Sequence, residues 1–196
     1  MLILNAWFAK VVILTGIIVT VAIRAPHGRR SRSVKVVKSL KGPLEVVLLT
    51  LVSIGFLTPL VWIVSPWLRF ADYPLRVVPF AAGTALLAVG LWYFWRSHAD
   101  LGTNWSVTLE VRENHHLVTT GIYERVRHPM YAALLLYAVG QVLLVPNWIA
   151  GPVYLASIIL IVALRLGPEE RIMVDEFGDN YKDYSARTKR LVPGIW

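Results

Sequence analysis

The stretch MYAALLLYAVGQVLLVPNWIAGPVYLASIILIVALRL, residues 130–166, decides the fold of this chain. Two apolar runs flank Pro146-Asn147, a dipeptide that is typical of turns. A helix needs about 20 mostly apolar residues to cross the hydrocarbon core of a membrane, so the first run is short and the second is near full length. The pattern predicts membrane helices at 130–145 and 148–166, packed as an antiparallel hairpin.

Three further apolar runs lie upstream and predict three more membrane helices, at 5–23, 43–64 and 75–95. The chain is 56% hydrophobic and only 16% charged, whereas a soluble domain carries about 25% charged residues. The sequence therefore predicts an all-α integral membrane protein with about five transmembrane helices. We expect a single membrane domain over 1–196, made of a three-helix part (1–95) and a second part (96–196).

Two segments are too polar to span a membrane. Residues 106–112 alternate with period two and predict a short strand. Residues 168–190 predict a cytoplasmic amphipathic helix that breaks near Gly178 and resumes as a second short piece. Pro168 leaves open whether this helix continues the fifth span, because proline is favoured in a first turn.

The basic residues are segregated along the chain, and this predicts its orientation. Of the 20 Lys and Arg residues, 17 lie in 24–41, 96–127 and the tail from 165, and two lie in the loop between the second and third spans. By the positive-inside rule the N-terminus is outside and the C-terminus is cytoplasmic. The segregation excludes nucleic acid as a partner and predicts that the loop 24–41 contacts anionic membrane lipids.

The densest polar cluster is GIYERVRHPMY, residues 121–131, before the fourth span. His128 precedes Pro129, which can begin a helix, and a helix N-terminus favours an anion. The alternative is an interfacial anchor in which arginine and tyrosine side chains lie at the level of the lipid headgroups.

A second cluster combines Arg165, Glu169 and Glu170 at the end of the fifth span. In a continuous helix Arg165 and Glu169 would share a face. A carboxylate of this cluster could accept hydrogen bonds from hydroxyl groups or face a cation. The alternative is a solvated helix start, where acidic residues favour the N-terminal dipole. Glu45, near the start of the second span, is interpreted as interfacial, as are Trp62 and other tryptophans near helix ends.

A metal site is not expected. His115 and His116 are adjacent, so on a strand they would point in opposite directions, and the chain has no cysteine.

Together these motifs resemble the isoprenylcysteine carboxyl methyltransferase family and the wider group of phospholipid-methyltransferase-like membrane enzymes. The matching text is HHLVTTGIY at 115–123 and RHPMY at 127–131, followed by Glu169-Glu170, Phe177-Gly178, Tyr181, Tyr184 and Pro193. The resemblance covers the chain from about Leu101 onward, roughly half of its length.

The resemblance implies that the C-terminal part holds S-adenosyl-L-methionine at the cytoplasmic membrane face. The implied cofactor-binding residues are Thr108, His115, His116, Leu117, Val118, Tyr123, His128, Pro129, Met130, Tyr131, Glu169 and Glu170. Arg165 matches the arginine that positions the carboxylate of the methyl acceptor, and with Glu169 and His128 it forms the implied catalytic set. The implied partner is a lipophilic small molecule or a lipidated acceptor.

Other functions stay open at this point. The acceptor could be an amino-lipid or a small thiol instead of a carboxylate. The C-terminal half is also similar to membrane sterol reductases that use NADPH, and a scaffold or lipid-binding protein is a third possibility. The chain has Ala132 and Ala133 where the family often has glycine, and we expect these methyl groups to narrow the acceptor tunnel.

Overall fold

A computed structural model of the chain describes residues 3–32, 36–39, 42–102, 110–112 and 116–196. Six helices account for most of this part of the chain. They are α1 (Ala6–Arg32), α2 (Pro43–Val64), α3 (Val77–Leu101), α4 (Pro129–Leu144), α5 (Val153–Phe177) and α6 (Asp179–Arg187). Two short strands, β1 (Val36–Ser39) and β2 (Glu110–Arg112), pair antiparallel with Ser39 opposite Glu110. Of the strand predicted at 106–112, the last three residues are confirmed and 106–109 lie outside the described residues.

Helices α1, α2 and α3 are each long and apolar enough to cross a membrane. α4 is apolar but has only 16 residues. Large apolar side chains such as Phe8 and Ile18 on α1 and Ile54 on α2 are exposed on the outside of the bundle, where lipid would cover them. The predicted helical integral membrane protein is confirmed at this level.

The end of α1 and the start of α5 differ from the prediction. α2 has the predicted limits, whereas α1 continues to Arg32, so Arg24 and Arg29 lie on a helix and not in a loop. α5 begins at Val153 and not at residue 148, because Asn147 starts a tight turn in which its side-chain oxygen accepts the backbone N–H of Ala150 at 2.8 Å. Such local side-chain bonds compete with helix formation.

α5 settles the question that Pro168 left open. The helix runs without interruption from Val153 to Phe177, so the membrane part and the polar part form one rod. It ends at Gly178, whose φ of 54° is a conformation that favours glycine, and α6 starts directly after it. The predicted break near Gly178 and the second helical piece are therefore confirmed.

Glycines bring α3 and α4 into backbone contact. A Cβ atom built on Gly83 would lie 2.9 Å from the carbonyl oxygen of Gly140, and one on Gly140 would lie 2.9 Å from that of Gly83. About two turns further along α3, a Cβ atom on Gly90 would lie 2.9 Å from the amide nitrogen of Tyr137. Small residues allow such close approach between membrane helices, so α3 and α4 pack as a tight pair.

A polar network joins the α2–α3 loop to the α4–α5 turn. The carboxylate of Asp72 accepts hydrogen bonds from Trp62 Nε1 at 2.9 Å and from Asn147 Nδ2 at 2.7 Å. The Lys10 ammonium lies 5.2 Å from the Trp62 ring. Trp62 is only 4% exposed, so its ring contacts protein and not lipid, and its level in the membrane stays a prediction. Its indole N–H donates to Asp72, and the ring packs inside the bundle.

Candidate active site

A cavity of about 280 Å³ opens at the end of the bundle where α4 begins. It is lined by residues of α1, α2, α3, α4, α5 and α6 and by the segment before α4. Of the predicted site residues, ten line it: His116, Leu117, Val118, Tyr123, His128, Pro129, Met130, Tyr131, Arg165 and Glu169. Thr108 and His115 lie outside the described residues. Glu170 is described by the structure but is not one of the residues that line the cavity.

The segment before α4 is fixed by a turn at Gly121. This glycine has a φ of 65°, and a Cβ atom there would clash with Asp100 Oδ2. The same oxygen accepts the backbone N–H of Ile122 at 2.8 Å, while Arg96 pairs with the other Asp100 oxygen at 2.7 Å. A side chain at residue 121 would displace the carboxylate that holds the turn.

The tyrosine that follows this turn links three parts of the site. Tyr123 is 7% exposed and lines the cavity. Its hydroxyl is 3.4 Å from the carbonyl oxygen of Ser97 on α3, and its own carbonyl accepts the Tyr184 hydroxyl of α6 at 2.5 Å. The wall that carries the predicted cofactor residues is thus tied to helices on both sides.

The chain after α6 pairs with the residues just before α4. The backbone N–H of Arg127 donates to Lys189 at 2.8 Å, and that of His128 donates to Arg190 at 2.9 Å. The Arg127 side chain also donates to the carbonyl oxygens of Ser185 and Thr188. Backbone pairing of this kind holds His128 at the entrance to α4.

Glu170 is the centre of a tight ionic cluster behind this wall. Its Oε1 accepts Arg127 Nη2 at 2.6 Å and Nε at 2.9 Å, and its Oε2 accepts Arg190 Nη2 at 2.7 Å. His128 Nε2 lies 3.2 Å from Oε1. Burial alone would raise the pKa of Glu170, but hydrogen bonds from His128, Arg190 and Arg127 hold it well below its usual range. These contacts favour a structural role over the predicted contact with a cofactor.

Glu169 faces the cavity and has looser partners. Its Oε2 accepts the Tyr131 hydroxyl at 2.6 Å and lies 3.9 Å from Arg165 Nε, while His128 Nδ1 lies 3.8 Å from Oε1. Burial opposes ionisation of Glu169, but contacts with His128, Arg165 and Tyr131 lower its pKa. Burial likewise disfavours the charged form of His128, but the two carboxylates outweigh it and raise its pKa.

Arg165 connects this charged end with the apolar part of the cavity. Its side chain is 10% exposed, and its Nη2 lies 3.5 Å from Oε1 of Glu45 on α2. Glu45 is itself only 7% exposed, so its carboxylate lies inside the bundle beside Arg165; its level in the membrane stays a prediction. No local signal pairs two residues that are 120 positions apart in sequence.

The membrane part of the cavity is mostly apolar and comes from helices that sequence reasoning left without a role. Its walls contain Leu49, Val52 and Phe56 of α2, Leu134 of α4, and Ile158 and Ile161 of α5. Thr20, Arg24, Ser53 and Tyr154 add polar groups. α2 is hydrophobic on all sides, so periodicity in the sequence gives no sign of which face lines a cavity.

The expected effect of Ala132 and Ala133 is wrong. Ala133 is 1% exposed, and its carbonyl oxygen would be 3.0 Å from a Cβ atom on Gly90, so it packs against α3. Neither alanine belongs to the described residues that line the cavity, whereas their neighbours Tyr131 and Leu134 do. Ala133 therefore belongs to the α3–α4 contact, and neither alanine narrows the cavity.

Among the residues that the structure describes, no three His, Asp or Glu side chains are arranged to hold a metal ion. The expectation about metals stays a prediction, since His115 is not among those residues.

Comparison with known proteins matches residues 68–175 to the model of the isoprenylcysteine carboxyl methyltransferase (ICMT) family. The protein-S-isoprenylcysteine O-methyltransferase of Mus musculus is 30% identical over 140 residues, which are 67% of this chain and 50% of the mouse protein. That of Schizosaccharomyces pombe is 29% identical over 133 residues, 65% of this chain and 56% of the yeast protein. This chain thus spans about half the length of these relatives.

The fold is similar to the solved structure of the eukaryotic intramembrane Ras methyltransferase ICMT. The TM-score is 0.54 at 21% sequence identity, over 79% of this chain and 53% of that one. The residues matched by the family model cover more than half of this chain and include the α3–α4 pair and the charged end of α5. The chain belongs to the isoprenylcysteine carboxyl methyltransferase family.

Proposed function

We propose that this chain is an S-adenosyl-L-methionine-dependent membrane methyltransferase that methylates a carboxylate on a lipophilic acceptor, with isoprenylcysteine as the acceptor class that the family suggests. The observation that carries the proposal is a cavity with apolar walls at one end, acidic and aromatic side chains at the other, and Arg165 between them. This arrangement suits a reaction in which the charged group of a lipophilic acceptor meets a polar cofactor beside Arg165.

The residues at the charged end of the cavity fit the cofactor. Glu169 is an ionised acceptor for hydroxyl or ammonium groups, and the first turn of α4, at Pro129–Tyr131, favours a carboxylate. Apolar Leu117, Val118 and Met173 can cover a flat ring. When bound there, S-adenosylmethionine would supply a methyl group on a positively charged sulfur.

The chain's own residues would bind and orient the acceptor. Arg165 would bind the acceptor carboxylate, and the apolar walls of α2 and α5 would take the tail and exclude water. A carboxylate is already ionised at neutral pH, so no general base is required. Placement and exclusion of water can then supply most of the catalysis.

We further propose that the charged end of the cavity is cytoplasmic, with five membrane spans and the N-terminus outside. The support is the charge count: 17 Lys and Arg residues lie in the predicted inner segments and two in an outer loop. The cofactor would then come from the cytosol and the acceptor from the bilayer. Since the walls come from both 1–95 and 96–196, we propose that these parts act as one domain.

Calorimetry with S-adenosylhomocysteine in detergent tests the cofactor site. We expect binding to the wild type and large losses in Glu169→Ala and His128→Ala. Asp179→Ala is the matched control, since this acidic residue is exposed on α6 and pairs only with Lys182 among the contacts described. A folded wild type that does not bind S-adenosylhomocysteine would refute the proposal. If NADPH then stabilised it, by about 2.7 kcal/mol at 100 times its Kd, the reductase alternative would replace it.

A further inference from the structure

Glu45 is a buried carboxylate that the proposed reaction has not yet used. It lies in the first turn of α2, and its Oε1 is 3.5 Å from Arg165 Nη2. Arg165 lines the cavity, whereas Glu45 is outside the set of described residues that line it. Seen from the cavity, Glu45 therefore lies behind the guanidinium, and it leaves the space in front of Arg165 open to a ligand.

A charge at this depth requires a partner that stays in place. The Arg165 side chain is 10% exposed, and a buried guanidinium is costly without an opposite charge. Glu169 lies 3.9 Å from Arg165 Nε, but it also lines the cavity, where the proposed cofactor would contact it. Glu45 is outside the set of described lining residues, so a ligand in the cavity would not have to displace it from Arg165.

The Arg165–Glu45 contact is an ion pair between two buried side chains, so the carboxylate attracts the guanidinium by its charge. At 3.5 Å the Arg165–Glu45 contact is longer than a typical N–H···O bond. Without the Glu45 charge, the attraction of Glu169 would no longer be opposed by Glu45 and would draw the guanidinium toward the cofactor end. Arg165 would then be displaced from the position where the acceptor carboxylate arrives.

We propose that Glu45 is a positioning residue for the acceptor: it holds Arg165 from behind, so that the guanidinium faces the cavity and receives the acceptor carboxylate. This inference rests on the proposed function. It also gives the start of α2 a part in the reaction, although α2 lies outside the segment matched by the family model.

The test compares two ligands that differ only in charge, in lipid nanodiscs with S-adenosylhomocysteine present. The probes are N-acetyl-S-farnesylcysteine and its carboxamide. In the wild type we expect the carboxylate to bind more tightly than the amide. In Glu45→Gln we expect the carboxylate to bind roughly tenfold more weakly, in line with the loss of one charged contact, and the amide to be unchanged.

Two further variants separate positioning from a structural role. Glu45→Asp should restore part of the carboxylate preference, because it restores the charge. Glu124→Gln is the control, because it removes an exposed acidic residue on the short 3-10 turn at Gly121–Glu124. In a double-mutant cycle with Arg165→Gln, the losses in carboxylate affinity should be strongly non-additive, because both variants act through one contact.

Each remaining outcome overturns the role of Glu45. If Glu45→Gln keeps the full preference for the carboxylate, or loses both ligands equally, Glu45 does not orient Arg165 for the acceptor. If the wild type itself shows no preference, the proposed acceptor class fails and the role of Glu45 fails with it. Calorimetry with S-adenosylhomocysteine still reports on the cofactor site in that case.

Discussion

Glu169 and Glu170 are neighbours on α5, yet they belong to two different regions of the molecule. Glu170 makes four hydrogen bonds of 2.6–3.1 Å with Arg127 and Arg190, and its side chain is 14% exposed. Glu169 has one short bond, from Tyr131, and two charged partners at 3.8 and 3.9 Å; its side chain is 30% exposed. The carboxylate of Glu170 is fully hydrogen-bonded to protein groups and stabilises the fold. The carboxylate of Glu169 has longer contacts beside a cavity and can still accept hydrogen bonds from a ligand.

Replacement of Glu170 should give the largest effect on stability. Glu170→Gln leaves Arg127 and Arg190 facing each other without the carboxylate, and loss of one partner from a buried ion pair costs about 3–5 kcal/mol. The free energy of unfolding in mixed micelles, measured by denaturant titration, reports the loss. Glu169→Gln is the matched variant on the same helix, with an expected cost of about 1 kcal/mol. Equal losses in both variants would contradict the contrast between the two clusters.

The pH dependence of stability should show both clusters together. The pKa values of Glu169 and Glu170 are lowered, so their contribution is complete above the usual 4.5 and is lost as the pH falls through the lowered values. The pKa of His128 is raised, so its contribution is complete below 6.5 and is lost as the pH rises through the raised value. Stability should therefore be greatest between these two limits.

Thermal unfolding across a pH series measures this window. His128→Asn should remove the decline on the alkaline side, and Glu170→Gln should weaken the decline on the acidic side. A profile that keeps the same alkaline decline in His128→Asn would show that another group is responsible.

A smaller effect is expected from Tyr131→Phe. The variant removes the 2.6 Å hydrogen bond that orients Glu169, at a cost of about 1 kcal/mol, or roughly a fivefold loss of affinity for S-adenosylhomocysteine. Tyr73→Phe is the control, since its hydroxyl donates at 3.3 Å to the Val145 carbonyl at the far end of α4. Calorimetry should show the loss in the first variant and not in the second.

The smallest effect should come from Arg190→Gln. This arginine pairs with Glu170 at 2.7 Å, but its side chain is 40% exposed, and pairs with an exposed member contribute about 0–1 kcal/mol. Arg127→Gln, at 9% exposure, is the comparison and should cost clearly more. If Arg190→Gln destabilised the protein as strongly as Arg127→Gln, exposure would not be what separates the two arginines.

Much of this architecture could be predicted from the sequence, because membrane helices can be recognised as continuous apolar runs. The limits of α2 and the break at Gly178 follow from local patterns. The continuity of α5 through Pro168 does not, because a proline fits both a first turn and a helix that other contacts hold straight. Contacts set by tertiary packing alone, above all Glu45 with Arg165, have no local pattern at all.

The same distinction holds for the candidate site. The motif residues from His116 to Tyr131 could be identified as a group, and ten of the predicted residues do line one cavity. The sequence could not assign different roles to Glu169 and Glu170. Their side chains project from the helix in different directions, and which of them faces the cavity depends on the elements that pack around α5.

The backbone contact between α3 and α4 bears on how tolerant this protein is of sequence change. Any side chain at Gly83 or Gly140 would meet the backbone of the other helix at 2.9 Å, and backbone cannot move aside as a flexible side chain can. In a comprehensive survey of single substitutions, these two glycines should tolerate as little as the charged residues of the cavity do, although they touch no ligand site. Inactive variants found there would report a bundle that does not assemble, and a map of inactivating substitutions would outline two separate regions of the protein.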